Sequence, residues 1–279
     1  MSQNRSSAVM QQRATTALDV LDDFPTPPWA TRALFEYVLL PIGGRPEPLT
    51  AWEPAANRGY MAKVLKEYIG LVMASDVHDY DGLYGTADFL IPGTEPPLVA
   101  MKGVDAIITN PPFVQAQRFI HRAIGIKNVR IVAMLVRTSF LEGVERYKQL
   151  YQIAPPTFVA QFAERVIMLK GVLRDPDKRY WDGTQWRKPS TATSYCWLVW
   201  VKGMTPQPFV HIPPCRKLLT RPGDYPANPD EEGIFTPPQE GNQWHMDETT
   251  TQDTTTSEAS EGGSDTSPAS TTSPSGAGA

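Results

Sequence analysis

The sequence predicts an α/β fold built on a doubly wound sheet, and three observations carry that prediction. Short runs of apolar, β-branched residues alternate along the chain with stretches whose apolar residues recur at helical spacing. One run, VRIVAMLVR (129–137), is apolar on both faces, as a central parallel strand has to be. The alternation persists from about residue 21 to 213, in a chain of 279 residues of which 41% are hydrophobic, so one large core can be filled.

Each element follows from its own residues. PPWATRALFEYVLLP sets Ala30, Leu34, Tyr37 and Val38 at helical spacing, with proline at the helix start. LTAWEP reads as the first strand, followed by a glycine-containing turn and the helix YMAKVLKEYI. GLVMASDV is a second strand and DAIITN a third; RFIHRAIGI is a helix, VRIVAMLVR the next strand and GVERYKQLYQI a helix. ERVIMLKG and SYCWLVWVKG are expected as late strands separated by a polar, basic insertion at 170–193. Residues 1–20 are mostly polar and are expected to be flexible. Residues 214–244 are Pro-rich with no sustained apolar period, an extended arm on the body. Residues 245–279, rich in Thr, Ser, Gly, Pro and acids, cannot bury enough apolar area to offset their ordering entropy and are expected to be disordered.

Charge is unevenly spread. All 26 Lys and Arg precede Pro222, together with 19 of the 30 acidic residues, so residues 1–221 carry an excess of seven positive charges although the whole chain is at −4. A basic body points to a polyanionic partner or to a merely solvated surface. Two cysteines, Cys196 and Cys215, provide no disulfide framework and no paired metal-ligand spacing, and the four histidines are scattered, so no metal is expected. No basic-then-apolar signal opens the chain, and no apolar run approaches the ~18 residues of a membrane span. The expectation is therefore a reducing compartment, the cytoplasm of a bacterium or of a virus-infected cell, with no membrane partner.

In a doubly wound sheet, ligands bind beyond the carboxyl ends of the strands, so those residues matter most. After the first strand comes EPAANRGYM, where Glu53, Ala55, Asn57 and Gly59 form a small-residue turn that admits a ligand close to the backbone. After the second strand, Asp76 stands about 20 residues beyond the loop, where a carboxylate accepts hydrogen bonds from a ribose diol; a turn or helix cap is the alternative. Asp88 beside Phe89 pairs an acceptor with a ring, which suits an amino-substituted aromatic ligand such as adenine, or again a turn cap. The third strand stops at Asn110, followed by Pro111, Pro112 and Phe113. NPPF is either ordinary punctuation after a strand or a pocket that grips the amino group of a flat aromatic substrate.

Taken in order, TPP (26–28), EPAANRG (53–59), ADFL (87–90), NPPF (110–113) and LVRTSFLEGVERYKQL (135–150) resemble the motifs of S-adenosylmethionine-dependent DNA adenine methyltransferases of the γ type, over about residues 23–203. The resemblance implies a Rossmann-like methyltransferase sheet and transfer of a methyl group from S-adenosylmethionine to the exocyclic N6 amine of adenine in DNA, on a flipped-out base. It implies a cofactor site at Thr26, Pro27, Glu53, Ala55, Asn57, Gly59, Asp76, Asp88 and Phe89, and a catalytic tetrapeptide of Asn110, Pro111, Pro112 and Phe113. In that tetrapeptide the Asn110 side-chain oxygen and the Pro111 carbonyl would accept the two amine hydrogens while Phe113 stacks on the base. The sequence departs from the family loop at Ala56, in place of a cysteine, and at Asn57, in place of the first glycine.

The insertion has six basic and three acidic residues between Lys170 and Lys188, interleaved with Tyr180, Trp181 and Trp186. Cations for phosphates and rings for exposed bases make Lys170, Arg174, Lys178, Arg179, Trp181, Trp186, Arg187 and Lys188 the candidate DNA-binding set; a twisted hairpin with snorkelling cations is the alternative. The whole is expected to be a solitary, monomeric modification enzyme of a phage- or plasmid-borne kind. Two other functions share the motifs: methylation of RNA bases or of a protein glutamine amide, and a catalytically silent nucleic-acid-binding module.

Overall fold

The computed structural model describes residues 22–43, 50–80 and 82–237. The flexible segment expected at 1–20 and the disordered tail expected at 245–279 lie outside the described residues, as does the arm beyond residue 237. The chain enters through α1 (Pro28–Leu34), which widens into a π turn (Phe35–Leu39) and ends as α2 (Leu40–Gly43). Then follow β1 (Thr50–Glu53), α3 (Tyr60–Tyr68), β2 (Leu71–Asp76), β3 (Gly85–Thr86), α4 (Pro97–Lys102), β4 (Ala106–Thr109), α5 (Ala116–Gly125) and β5 (Ile131–Arg137). A 3-10 turn (Thr138–Leu141) leads to α6 (Val144–Arg146) and a second π turn (Tyr147–Tyr151). The chain closes with β6 (Phe158–Phe162), the hairpin β7 (Tyr180–Trp181) and β8 (Trp186–Arg187), β9 (Tyr195–Val201), β10 (Val210–Ile212) and α7 (Arg216–Leu219).

Eight strands form one sheet in the order β10–β6–β9–β5–β4–β1–β2–β3. Neighbours pair in parallel except around β9, which runs antiparallel to both β5 and β6. From the β3 edge, the order β3–β2–β1–β4–β5 is that of a doubly wound α/β sheet, with the winding reversing between β1 and β4. That reversal opens a crevice beyond the carboxyl ends of β1 and β4.

Alternation along the strands divides the core in two. Ala51, Ala106, Ile108, Ala133, Leu135, Trp197 and Val199 face one layer, where α1 contributes Ala30, Ala33 and Leu34 and α3 contributes Met61 and Leu65. Their neighbours Trp52, Ile107, Val132, Met134, Cys196 and Leu198 face the other, packed against Phe119, Ile120 and Ala123 of α5. A strand buried on both faces has no polar side, which is why β4 and β5 read as unbroken apolar runs. Each fully buried Leu, Ile or Val in these layers contributes roughly 1.5–3 kcal/mol.

The late strands differ from the sequence expectation. ERVIMLKG is not a strand; the strand is β6, six residues upstream of Glu164 at its start. Both stretches alternate, but only β6 finds partners on both sides, β9 through Phe158↔Val199 and β10 through Ala160↔Val210. Glu164 instead turns aside to accept hydrogen bonds from the Arg216 backbone N–H and Nε, and Gly171 N–H bonds the Asp23 carbonyl. The segment thus crosses the end of the sheet as a loop, carrying Val166 and Met168 into the core. The short elements β3, α4, β10 and α7 have too few residues to show a period in sequence.

Candidate active site

The crevice at the winding reversal holds a cavity of about 390 Å³. Its lining includes Thr26, Glu53, Ala55, Asn57, Asp76, Asp88, Phe89, Asn110 and Pro112. Five segments therefore meet in one hollow, and one of the hydrogen bonds that join them spans 86 residues of sequence. Pro27, Gly59, Pro111 and Phe113 do not line it: Pro27 precedes α1, Gly59 precedes α3, Pro111 is buried, and Phe113 faces an adjoining cleft of about 220 Å³ beside Arg137.

The loop after β1 is held by its own peptides and by Asp76. Ala56 N–H donates to the Ser75 carbonyl at 3.0 Å, Gly59 N–H to the Ala56 carbonyl at 2.7 Å, and Asn57 N–H to Asp76 Oδ2 at 2.8 Å. Asn57 sits at φ 51°, the one non-glycine left-handed residue among those described. Asparagine tolerates that conformation, so it serves where the related motif has glycine. Its Nδ2 donates to Asp23 Oδ1 at 2.6 Å, and Arg58 Nη1 reaches the same carboxylate at 3.0 Å, which ties the incoming segment to the loop. Gly59, at φ 77°, is strained by any side chain: a Cβ there would lie 2.0 Å from the Tyr84 hydroxyl, which would have to move.

Three carboxyl groups face this space in different states. Glu53 is buried, its Oε2 has no hydrogen-bond partner, and burial first and the Asp76 charge second push its pKa well above the usual carboxyl range. Asp76 is also raised by burial, opposed by amide hydrogen bonds from His78 and Asn57. Asp88 Oδ1 accepts the Leu90 N–H at 2.8 Å, so it caps its turn as well as lining the cavity. Phe89 is almost wholly buried, with Trp52 at 5.1 Å and Phe119 at 4.8 Å between ring centroids; it is a wall of the cavity and a core residue at once. A buried, unpaired carboxyl oxygen on Glu53 fits a cationic ligand group, whose charge favours the ionised form; the second oxygen of Asp88 remains as an acceptor, and the two Asp76 oxygens, each accepting one backbone N–H, keep lone pairs for hydroxyls. These features fit the charge and polarity of S-adenosylmethionine.

Asn110 is aimed from outside its own loop. Its Nδ2 donates to the Phe24 carbonyl at 3.0 Å and to Met168 Sδ at 3.7 Å. With the nitrogen so fixed, Oδ1 is left buried without a partner. The Pro111 carbonyl accepts no backbone hydrogen bond among the described residues. Phe113 is half-buried; Arg137 holds its planar guanidinium 3.9 Å from the ring centroid, and Phe24 lies at 5.1 Å.

Sequence reasoning did not single out Phe24, Tyr80, Gln115, Arg118 or Arg137. Gln115 and Arg118, hydrogen-bonded to each other at 3.0 Å, line the cavity from the start of α5. Their signal was position: the first helical turn after a strand-end motif faces the crevice. Tyr80, with the Arg58 guanidinium 5.1 Å from its ring, lines the rim from a loop with no periodic signal.

The insertion folds as a two-stranded hairpin, β7–β8, with Trp181 paired to Trp186. Its cations are engaged within the chain: Arg174 with Asp230, Lys178 with Glu231, Arg179 with Glu232 and Arg187 with Asp182. Trp181 and Trp186 pack with Phe235 of the arm. Lys170 and Lys188 lie at the two ends of this stretch. Among the described residues no group of three His, Cys, Asp or Glu side chains converges as a metal site, and no helix is long and apolar enough to cross a membrane.

No family model matches the chain, and no curated protein does. Solved structures resemble it in fold. A modification subunit attributed to a type I restriction enzyme, from Vibrio vulnificus YJ016, is 14% identical over 66% of this chain and 45% of its own, with a TM-score of 0.41. The methyltransferase subunit of a type I restriction-modification system from Streptococcus thermophilus is 12% identical over 73% and 50%, with a TM-score of 0.46. A dimethyladenosine transferase from Plasmodium falciparum is 10% identical over 64% and 62%, with a TM-score of 0.36. The chain spans about half the length of the two restriction-system subunits.

Proposed function

We propose that the crevice binds S-adenosylmethionine and that the chain methylates the N6 amine of adenine in DNA, on a base turned out of the helix. One observation carries the reading: a buried amide oxygen, Asn110 Oδ1, is left without a partner in a residue that lines the same cavity as Glu53, Asp76 and Asp88.

An exocyclic amine on adenine is a weak nucleophile because its lone pair is delocalised into the ring. Asn110 Oδ1 accepts one amine hydrogen and the Pro111 carbonyl the other, which favours a tetrahedral nitrogen and localises the pair. Pro111 and Pro112 hold that carbonyl at a fixed angle, since proline restricts its own backbone and that of its predecessor. Phe113 presents a ring face to the base; stacking contributes roughly 1–3 kcal/mol and becomes available only after flipping. Arg137 already rests a flat cation on that ring, so the face accommodates a planar group. The cofactor, when bound, supplies a methyl group activated by a positively charged sulfur. The protein's share is orientation: Glu53 takes the cationic end, Asp76 the ribose hydroxyls and Asp88 the adenine amine. The substrate proton becomes acidic once nitrogen is alkylated and leaves to water, so no general base is assigned.

The test is a pair of measurements on the wild type and Asn110→Ala. Calorimetric titration with S-adenosylmethionine should give similar affinities for both, while methyl transfer to adenine-containing DNA should be lost in the variant. Full activity in Asn110→Ala, or no cofactor binding by the wild type, contradicts the proposal.

A further inference from the structure

The acidic arm lies against the basic aromatic hairpin through one antiparallel bridge. Trp181 N–H donates to the Asp230 carbonyl and Glu232 N–H to the Arg179 carbonyl, both at 2.8 Å, bracketing an antiparallel bridge between Tyr180 and Glu231. Three consecutive acids, Asp230, Glu231 and Glu232, meet Arg174, Lys178 and Arg179 in turn. Three residues on, the Phe235 ring lies nearly parallel to Trp181, at 6.2 Å and 28°.

This combination is what a nucleic-acid strand would offer: successive negative groups paired with cations, and a flat group among aromatic side chains. A purely structural role explains it poorly. The Arg174–Asp230 pair and the buried Glu231 anchor the arm, but Lys178 and Arg179 keep 54% and 48% of their side chains exposed, and the pair of Arg179 with the exposed Glu232 contributes little to stability. The sheet needs neither the hairpin nor the arm to complete its eight strands.

We infer that residues 230–235 are a built-in stand-in for single-stranded nucleic acid, and that an incoming strand takes their place on the hairpin. Carboxylates occupy phosphate positions and Phe235 a base position. The inference rests on the proposed function for its choice of polyanion, and it assigns a surface that receives an unpaired strand.

The test compares Glu231→Gln/Glu232→Gln with a charge-matched control at two acids without an ion pair among the described residues, Glu36→Gln/Glu142→Gln, in full-length protein binding single-stranded DNA at several salt concentrations. Releasing two cations should steepen the dependence of log affinity on log salt by about 1.4 relative to the control, at about 0.7 per phosphate contact. Phe235→Ala, which changes no charge, should tighten binding several-fold at an unchanged slope. Equal slopes in the two double variants, or unchanged or weaker binding by Phe235→Ala, overturn the inference. Absence of cofactor binding in the unsubstituted chain would instead strike at the proposed function and leave the slope comparison standing.

Discussion

Glu53 shows how one residue couples stability to ligand binding. Its carboxyl is buried beside Asp76 and pushed well above the usual range, so the folded state holds the proton more tightly than the unfolded chain does. Between those two values, stability falls as pH rises. Glu53→Gln, neutral throughout, should therefore melt a few degrees higher than wild type at about pH 8, with the gap closing near pH 4, below the ordinary carboxyl value. On the proposed function, the same variant should bind S-adenosylmethionine less tightly, since the group assigned to its positive end is gone. Equal melting curves at high pH would mean that Glu53 is ionised and compensated in the ligand-free protein. The residue types at the site were legible: an acid at the end of β1, an amide at the end of β4, acids at 76 and 88. Their hydrogen bonds were not. Nothing near Asn110 in the sequence says that its nitrogen is held by the carbonyl of Phe24, 86 positions away.

At the level of elements, the turn from β1 into α3 depends on two left-handed residues and a close approach. Gly59→Ala places a methyl group into the Tyr84 ring and adds about 1 kcal/mol of backbone strain. It should weaken cofactor binding about tenfold, taking roughly 1.4 kcal/mol as a factor of ten. Combining it with Tyr84→Ala should recover part of that loss in a calorimetric double-mutant cycle; no recovery would place the effect in backbone strain alone. Long periodic elements such as α1, α3, α5, β5 and β9 were readable because burial imposes a period that the residues must obey. The choice between ERVIMLKG and β6 was not readable, since both alternate and the decision lies in which one β9 and β10 can pair with.

Across the whole molecule, Arg32 fastens the start of the fold to its far end. It makes paired hydrogen bonds with Glu67 on α3 and Asp224 in the arm, and donates to the Leu219 carbonyl. Arg32→Ala leaves Asp224 buried without its cation, while Glu67 keeps Arg221. The expected cost is about 3 kcal/mol, at the lower end for a broken buried pair, read from the denaturant midpoint. A loss below about 1 kcal/mol would show that the arm is held mainly by other contacts. Charge bookkeeping found the basic body but could not tell which cations were already engaged; that needs the fold, because Arg174 and Asp230 are 56 residues apart. The fixing of Asn110 by the Phe24 carbonyl has a practical corollary. On the proposed function, the Asn110 amide takes its bearing from a peptide ahead of α1, so removal of the chain up to and including Phe24 should abolish methyl transfer. A protease site engineered just after it, ahead of α1, would make an off-switch.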